Sequence, residues 1–502
     1  MSLTRRGFVT GACAGAGAAL LPSWRWLRAA ETPPAGGPAR QGDAPPTGGQ
    51  AVASPAGGRP NFIVIYMDDM GYGDVAPFGS KKNRTPHLDR MAAEGTRFTS
   101  FYAAPLCTAS RTTLMTGCYA KRCGMPAVLF PVSGVGLGRR EKIIPELLKP
   151  QGYATLCVGK WHLGDQPEYL PTRRGFDHYL GLPYSNDMGG TRSPEGNKKP
   201  DKTGKAKAGN PRPPLPLLRD EKVIQEVAPK DQDRLVQIYT EEAVAFIQAN
   251  KDRPFFLYLP HTAVHNPHHP GEAFKGRSAN GVYGDWVEES DWSVGQVLDT
   301  VRSLGLAGRT LVLFTSDNGG TKTGDNGPLR GFKGSTWEGG VREPTIAWWP
   351  GHVPAGRTCD EIACTMDVLP TLVRLAGGEV PADRAIDGRD IRPLLLGEPG
   401  AKTPHEAFYY FATGVGNLDA VRSGPWKYRL QPEKALYHLD KDIGETTDVA
   451  AANPDVVKRM QELVEKMDKD LGATGRGPGC RDPDTVASPK PLVLSGAEPA
   501  SQ

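Results

Sequence analysis

The sequence predicts an α/β fold, in which a large, mixed and mostly parallel sheet is flanked by helices and followed by a smaller C-terminal α+β domain with an antiparallel sheet. Three observations lead to this prediction. Short, continuously apolar runs recur along the chain, as is typical of strands buried on both faces of a parallel sheet. Segments with helical periodicity separate these runs. Beyond about residue 380 the runs become shorter, and one long helical pattern follows them.

Four apolar runs predict central strands, at residues 61–67, 154–159, 254–260 and 311–315. Each run is followed by polar residues, in chain order Asp68-Asp69, Lys160-Trp161-His162, His261 to His265, and Ser316-Asp317-Asn318. Helical periodicity covers 235–249 and 286–304 between the later runs. Because ligands of open α/β sheets bind beyond the carboxyl ends of the strands, these polar residues predict one active site at that edge.

The remaining segments complete the predicted organisation. Residues 191–215 are rich in Lys, Gly and Pro and predict an exposed insertion. Short segments at 420–429 and 435–440 precede a predicted helix at 454–471, which together indicate the C-terminal α+β domain. Residues 474–502 predict a disordered tail.

The N-terminal segment is typical of an export signal. Arg5 and Arg6 precede a weakly apolar stretch, and residues 1–30 contain no acid, which resembles a bacterial twin-arginine signal. A chance Arg pair in a flexible tail is the alternative. Residues 31–60 are rich in Pro, Gly and Ala and predict a disordered linker. The signal implies passage through the twin-arginine translocase and a periplasmic or secreted location.

The charge and hydropathy patterns exclude two other classes of protein. The formal net charge is +4, and the four arginines of the first 30 residues account for it, so the rest of the chain is neutral. A neutral body gives no support for a nucleic-acid-binding protein. An uninterrupted apolar run of about 18 residues is absent, so we do not expect an integral membrane protein.

Asp68, Asp69, Asp317 and Asn318 offer only oxygen ligands at two strand ends. Hard oxygen ligands suit calcium or magnesium, and calcium tolerates irregular geometry better. Each pair alone could equally be a helix cap or a turn. Two pairs at two strand ends favour a metal site.

A motif around Cys107 identifies a family. Cys107-Thr108-Ala109-Ser110-Arg111 resembles the site of type I sulfatases, in which this Cys is oxidised to formylglycine (3-oxoalanine) before folding. The resemblance spans roughly residues 60–470 and is closest to the arylsulfatase A branch. It also includes the segments Thr85-Pro86-His87-Leu88-Asp89, Gly159 to Gly164, Thr315 to Gly319 and Lys333 to Arg342. It implies the alkaline phosphatase-like sulfatase fold, with residues 61–378 as the catalytic domain and 379–473 as the C-terminal subdomain.

The resemblance implies a role for each matching residue. The implied Ca²⁺ ligands are Asp68, Asp69, Asp317, Asn318 and the modified Cys107. The implied cations around formylglycine and sulfate are Arg111, Lys160 and Lys333, and Ser185 matches a position that contacts the substrate sulfate. A formylglycine-generating enzyme would act on the unfolded chain.

The family's mechanism gives the two histidines different tasks. One hydroxyl of the hydrated aldehyde attacks sulfur, and the alcohol leaves with a proton for which His265 matches the donor. The covalent sulfoenzyme then loses sulfate by C–O cleavage when the second hydroxyl is deprotonated, and His162 matches that base. Lys160 and His162 are two residues apart, so in an extended segment both side chains would point into one site.

The chain departs from the family pattern at three positions. Ala109 replaces the commoner Pro, and Cys118 and Cys123 stand where relatives commonly carry Arg and an apolar residue. Export permits disulfides, and the six cysteines other than Cys13 and Cys107 allow 15 connectivities. We expect Cys157 to be a free thiol.

The sequence therefore predicts an exported sulfatase that hydrolyses a sulfate monoester, either an aryl sulfate or a sulfated carbohydrate, to the alcohol and inorganic sulfate. The first alternative is a phosphate or phosphonate monoester hydrolase of the same superfamily. The second is a non-catalytic glycan-binding relative. The organic part of the substrate is not fixed by the motifs.

Overall fold

A computed structural model describes residues 58–190 and 212–493. The predicted export signal, the predicted linker up to residue 57 and residues 191–211 of the predicted insertion lie outside the described residues.

The strands of the described chain are β1 Asn61–Met67, β2 Thr96–Tyr102, β3 Val135–Gly136, β4 Ala154–Val158, β5 His178–Gly181, β6 Pro216–Arg219, β7 Lys222–Glu226, β8 Phe255–Pro260, β9 Thr310–Ser316, β10 Arg342–Trp348, β11 Arg357–Cys359, β12 Ala363–Cys364, β13 Phe408–Phe411, β14 Leu418–Ser423, β15 Trp426–Arg429, β16 Ala435–His438 and β17 Asp484–Thr485.

The α-helices of the same residues are α1 Pro86–Ala93, α2 Cys107–Thr116, α3 Ile144–Leu148, α4 Leu235–Ala249, α5 Gly281–Ser303, α6 Glu338–Val341, α7 Val368–Leu375, α8 Arg392–Leu395 and α9 Pro454–Leu471. Short 3-10 helices lie at Ala76–Phe78, Lys149–Gln151, Pro167–Tyr169, Pro171–Arg173, Asn186–Met188, Pro229–Arg234, Ala307–Arg309, Thr365–Asp367 and Ala450–Ala452.

The large sheet has the strand order β11-β2-β10-β9-β1-β8-β4-β5-β6-β7, and β12 pairs with β2. Its centre, β9-β1-β8-β4-β5, is parallel throughout, whereas β10, β6 and β7 introduce antiparallel pairs. Each residue of β1 is buried, because apolar clusters cover both faces of the strand. The prediction of a mixed, mostly parallel sheet with helices on both sides is confirmed.

The C-terminal part contains the predicted second sheet. Strands β13-β14-β15-β16 form an antiparallel sheet, against which helix α9 packs through Met460, Leu463, Met467 and Leu471. The boundary at residue 378 stays a prediction. Leu394 and Leu395 lie beyond it but pack in the same apolar cluster as Phe62 of the central strand.

The predicted disordered tail is wrong for residues 474–493. Strand β17 pairs with β3 through Asp484 and Gly136. Arg481 forms a bidentate ion pair with Glu141, with nitrogen–oxygen distances of 2.6 and 2.9 Å. These partners are more than 300 residues away in the chain. The local composition that suggested disorder therefore gives no information about them. Among the described residues, no helix combines the length and the apolar composition that crossing a membrane requires.

A buried ion cluster joins the second sheet to the large one. The Glu338 carboxylate accepts hydrogen bonds from Tyr102 of β2 at 2.6 Å, from Tyr410 of β13 at 2.7 Å and from Lys427 of β15 at 2.9 Å. Lys427 also pairs with Glu445 at 2.8 Å, and the side chains of Lys427, Glu338 and Glu445 are 0% exposed. Each buried charge has an opposite partner, so the cost of removing it from water is offset in the folded state.

We expect Lys427→Met to destabilise the protein strongly, because it leaves Glu338 and Glu445 without their shared cation. Breaking a buried pair from one side costs about 3–5 kcal/mol of unfolding free energy. Denaturant unfolding measures this loss. Lys402→Met removes the cation from an ion pair in which the Lys402 side chain is 79% exposed, and it is the matched control. Equal effects of the two substitutions would contradict the assignment.

Candidate active site

The parallel strands bring most of the predicted site residues to one edge of the sheet. Asp68 follows β1, Lys160 follows β4, Ser185 follows β5, His265 follows β8 and Asp317 follows β9. These five strands are neighbours and run in one direction, so their carboxyl ends coincide. The predicted site lies where ligands of α/β sheets bind.

Cys107 and Lys333 reach the same edge by another route. Strand β2 is antiparallel to β10, which is antiparallel to β9, so β2 ends at the active-site edge and α2 begins there with Cys107. Strand β10 begins at that edge, and the loop before it carries Lys333. Cys107 is thus the first residue of a helix whose free N–H groups favour negative charge beside it.

Carboxylates form the centre of the site. Ligand atoms of Asp68, Cys107 and Asp317 lie within 4.8 Å of one another, and so do those of Asp68, Asp69 and His265. Asp69 has a φ of 62°, which turns the chain sharply after Asp68.

Two oxygens of this centre are buried and lack a hydrogen-bond donor among the described residues. They are Oδ1 of Asp68 and Oδ1 of Asn318. Burying an unpaired carboxylate or amide oxygen is costly, and a cation at this point would remove the cost. Oxygen-only donors with this negative charge fit a hard divalent cation such as calcium.

Each aspartate also contacts a basic side chain. Nζ of Lys160 lies 2.6 Å from Asp68, Nζ of Lys333 lies 2.7 Å from Asp69, and Nη2 of Arg111 lies 2.8 Å from Asp317. The Lys160 and Arg111 side chains are wholly buried, whereas the Lys333 side chain retains 17% exposure. Lys333 is therefore the cation of this set that solvent reaches most easily.

The pKa values of the site residues are shifted by burial and by the charges of neighbouring side chains. Burial alone would raise the pKa of Asp68, but Lys160 and the other basic side chains of the site together outweigh it and hold that pKa far below its usual range. Burial and the neighbouring Asp68 carboxylate raise the pKa of Asp317, although Arg111 opposes them. Burial would lower the pKa of Lys333, but Asp69 and Cys107 raise it above its ordinary value. The carboxylates repel one another, and a bound cation would relieve that repulsion.

His162 is held as a neutral imidazole. Burial and the charge of Lys160 lower its pKa well below the ordinary value. Its Nε2 lies 2.9 Å from the Leu129 carbonyl oxygen and donates to it, which leaves Nδ1 as a buried nitrogen with a free lone pair and no partner among the described residues. The φ of His162 is 60°, so the segment after Lys160 turns and is not extended as the sequence analysis assumed.

His265 lies on the more open side of the site. Its Nδ1 donates to the Asn266 carbonyl oxygen at 2.6 Å and lies 3.4 Å from Oγ of Ser185. Its Nε2 lies 3.7 Å from Asp69. Ser185 in turn accepts from Lys160 at 3.3 Å. The side chain of His265 keeps 13% exposure, whereas His261 is buried against Ser293.

Direct contacts join ten of the eleven predicted site residues into one cluster. Its members are Asp68, Asp69, Cys107, Arg111, Lys160, Ser185, His265, Asp317, Asn318 and Lys333. Asn318 joins it by donating to Asp69 at 2.8 Å. The hydrogen bond of His162 to the Leu129 carbonyl oxygen lies outside this cluster. The charge of Lys160, which belongs to the cluster, helps to lower the pKa of His162.

Sequence analysis missed Glu343. Its carboxylate is fully buried in β10 with both oxygens unpartnered among the described residues. Burial and the charges of Asp317 and Asp69 raise its pKa well above the ordinary value. The available signal was an acid near the start of a strand whose second half, Ile346-Ala347-Trp348, is apolar.

Comparison with known proteins gives the family. The model described as Sulfatase matches residues 60–378, and the model described as N-sulphoglucosamine sulphohydrolase, C-terminal, matches residues 332–473. N-acetylgalactosamine-6-sulfatase of Sus scrofa is 42% identical over 86% of this chain and 82% of its own. Arylsulfatase A of Homo sapiens is 38% identical over 83% of this chain and 88% of its own.

Solved structures of similar proteins lead to the same family. PsFucS1 sulfatase from Pseudoalteromonas sp. has a TM-score of 0.74 and 29% identity over 84% of this chain and 93% of that one. Ps i-CgsB in complex with k-i-k-neocarrahexaose has a TM-score of 0.71 and 32% identity over 83% of this chain and 95% of that one. Members of this family generally use formylglycine and a divalent metal. With a family match across most of its length and such relatives, the chain belongs to the sulfatase family and is a sulfuric ester hydrolase.

Proposed function

We propose that this chain is an exported, calcium-dependent sulfatase that removes sulfate from a sulfated carbohydrate, using formylglycine at position 107. The observation that carries the proposal is the arrangement around Cys107. Asp68 and Asp317 lie beside it, and three basic side chains surround these acids. The export signal, the calcium identity and the residue roles are parts of this proposal.

The charge balance of the cluster suits an anionic substrate. The carboxylates of Asp68, Asp69 and Asp317 are matched by Arg111, Lys160 and Lys333, so the six side chains sum to zero. A divalent cation held by Asp68, Asp69, Asp317 and Asn318 would leave the site positive. Positive charge fixed in a buried site stabilises an anion without rearrangement of solvent. Calcium would supply this charge and polarise a sulfate oxygen.

Modification at Cys107 would precede folding. The Cys107 side chain is 2% exposed and lies within the cluster, so an enzyme could not reach it in the folded chain. We therefore propose that a formylglycine-generating enzyme acts on the unfolded chain. Twin-arginine translocation carries folded proteins, which fits maturation before export to the periplasm or medium.

The two histidines are suited to different proton transfers. His265 is partly exposed and fixed by Asn266, so a protonated Nε2 can donate to the oxygen of the departing alcohol. His162 is buried and neutral, with a free lone pair on Nδ1, so it can accept a proton from formylglycine when sulfate is released. The geometry supports the assignment that the family resemblance implied.

The names of two relatives favour a sulfated sugar as the substrate of this chain. They are an N-acetylgalactosamine-6-sulfatase and a protein solved in complex with neocarrahexaose. Release of sulfate from a panel of sulfated saccharides, with an aryl sulfate for comparison, tests the class. Desulfation of the aryl sulfate alone would overturn the carbohydrate assignment.

A phosphate or phosphonate monoesterase remains the alternative. A phosphonate monoester hydrolase of Agrobacterium radiobacter has a TM-score of 0.58 at 19% identity, a likeness that shows the fold alone. Rates on an aryl sulfate and the matching aryl phosphate separate the two functions, and faster phosphate release would favour the alternative.

The first prediction concerns maturation at Cys107. Active protein should yield a tryptic peptide 98–111 that is lighter by the change of a thiol to an aldehyde, measured by mass spectrometry. Cys107→Ala should fold normally and lose activity, because no nucleophile remains. Cys480→Ala, outside the site, should keep both the modified peptide and the activity. A fully active preparation with only unmodified Cys107 would contradict the mechanism.

The second prediction concerns the metal. Asp317→Asn removes one negative charge from the oxygen cluster, so calcium affinity should fall at least about tenfold, as measured by calorimetry. Chelation should abolish turnover, and calcium should restore it better than zinc. Asp299→Asn on the exposed face of α5 is the control and should bind calcium normally. Activity that survives confirmed metal removal would refute calcium dependence.

The third prediction separates the histidines. His265→Ala should slow an alkyl sulfate by about 10²–10⁴-fold and an activated aryl sulfate much less, because a nitrophenolate leaves without a proton. His162→Ala should release alcohol in a burst and then accumulate sulfated enzyme, because its defect lies after alcohol departure. Steady-state rates on both substrates and intact-protein mass measure these effects.

His178→Ala provides the control for both histidine variants. This residue begins β5 and so lies at the opposite end of that strand from the site. Its loss should leave both rates unchanged. If His162→Ala instead shows the leaving-group dependence and His265→Ala traps the adduct, the roles are reversed.

A further inference from the structure

We propose that Cys118 and Cys123 form a disulfide that closes the turn after the helix carrying Cys107 and is covered by the C-terminal segment 476–484. This inference goes beyond the proposed sulfatase chemistry. Formation of the bond requires an external disulfide as the oxidant, and export to an oxidising compartment would provide one.

The two sulfurs share one buried pocket. The sulfurs of Cys118 and Cys123 and a carboxylate oxygen of Glu141 lie within 4.8 Å of one another. Both cysteine side chains are at most 1% exposed. Cys118 follows Gly117, which ends α2 in the left-handed conformation, and Cys123 donates its N–H to the Ala120 carbonyl oxygen at 3.2 Å. This turn folds Cys123 back onto Cys118, so side-chain rotation can bring the sulfurs to bonding distance.

Apart from the Arg481 guanidinium, the sulfurs make only weak contacts. Cys118 lies 3.6 Å from the Thr116 carbonyl oxygen and 3.5 Å from that of Ala385, and Cys123 lies 3.6 Å from Oγ1 of Thr116. Forming the bond therefore sacrifices little of these contacts, and Arg481 keeps its ion pair with Glu141.

Cys359 and Cys364 offer a contrast. They lie on β11 and β12 and pair with Phe98 and Tyr102 of the same strand β2. These positions are four residues apart, about 13 Å along a strand, which exceeds the reach of a disulfide. Cys157 is an unpaired thiol buried in β4, as predicted, and the structure describes Cys118 and Cys123 in their thiol form as well.

The surroundings of the pair make Cys118, rather than Cys123, the thiol that ionises more readily. Nη2 of Arg481 lies 3.3 Å from the sulfur of Cys118, and the same guanidinium binds Glu141 at 2.6 and 2.9 Å. A hydrogen bond from Cys123 lowers the pKa of Cys118, and Arg481 lowers it further. Burial and the carboxylates of Asp387 and Glu141 oppose this shift. The thiolate is the form that attacks a disulfide. Once both thiols are consumed, Arg481 and Glu141 remain as an ion pair without net charge, in which the Arg481 side chain is 27% exposed.

The reaction is a thiol–disulfide exchange. The Cys118 thiolate attacks a sulfur of an external disulfide, such as glutathione disulfide or an oxidoreductase, and releases one thiolate. Cys123 then loses its proton and attacks the sulfur of Cys118, releasing the second. Two electrons and the two thiol protons pass to the external disulfide, which leaves as two thiols.

The bond would stiffen a turn that anchors the C-terminal part. Arg122 lies inside the proposed loop and binds Asp387 and Asp470 at 2.6 Å each, and its neighbour Lys121 donates to the Gly472 carbonyl oxygen. Closing the loop fixes both side chains relative to the end of α2. The disulfide would therefore couple the C-terminal part to the helix that carries Cys107.

Tryptic mapping tests the proposal directly. Trypsin cuts after Lys121 and Arg122, between the two cysteines, so an intact disulfide keeps peptides 112–121 and 123–139 linked. The full-length protein is equilibrated in glutathione buffers from reducing to oxidising, blocked with an alkylating agent, digested without reductant and analysed by mass spectrometry. We expect the linked pair in oxidising buffer and two alkylated peptides in reducing buffer. Because the oxidant is supplied, this result does not depend on export or on sulfatase activity.

Thermal unfolding provides a second readout. Reduction should lower the melting temperature of the wild-type protein by about 2–3 °C, because the closed loop restricts the unfolded chain. Cys118→Ser with Cys123→Ser should melt at the reduced value in either buffer. Cys480→Ser is the matched control, since it lies in the covering segment but outside the pair, and should keep both the linked peptides and the redox-dependent shift.

Two outcomes would overturn the proposal. One is full alkylation of both cysteines in every oxidising buffer. The other is one zinc ion per chain, measured on the purified protein, that disappears in the Cys118→Ser variant while the dithiol persists, which would assign the pair and Glu141 to a metal site instead.

Discussion

The rest of the active site depends on the mutual neutralisation of three buried carboxylates and three basic side chains at one edge of the large sheet. Asp68 is wholly buried, and its pairing with Lys160 at 2.6 Å offsets the loss of its hydration. Arg111 does the same for Asp317 and also donates to the Lys160 carbonyl oxygen at 2.8 Å, so one guanidinium fixes the end of β4 against the end of β9. Replacing either cation would leave uncompensated the burial and the carboxylate repulsion that already raise the pKa of Asp317.

This arrangement requires the sheet topology. Five parallel neighbours deliver their carboxyl ends together. Strand β2 leads to α2 at the same edge, and the antiparallel strand β10 begins there, after the segment that bears Lys333. The site is then enclosed by strand ends on one side and a helix N-terminus on the other. Apolar side chains pack against both faces of β1 in two clusters. This packing fixes the positions of the strand ends independently of the side chains of the site. The chemistry therefore rests on rigid elements, as precise orientation of reacting groups requires.

Much of this could be predicted because it is encoded locally. The predicted strand at 61–67 and the predicted helices at 235–249 and 454–471 agree with the structure, since apolar runs and helical periodicity are local signals. The turn at His162 was not predicted, because its left-handed conformation depends on the strand ends around it. The ordered segment after residue 474 and the buried Glu343 were missed for a related reason. Their order comes from partners such as Glu141 and Asp317, which are distant in sequence.

The C-terminal part contributes to the site through the segment that bears Lys333. Glu338 begins α6, five residues after Lys333, and is bound by Tyr102, Tyr410 and Lys427 from both sheets. Its N–H donates to Glu445 at 2.7 Å, so backbone and side chain are both held. Lys333 itself is the most exposed cation of the cluster and has only Asp69 as its acidic partner in the described chain. Its position therefore depends on the buried cluster around Glu338, and a change in the second sheet would reach the active site through this short segment.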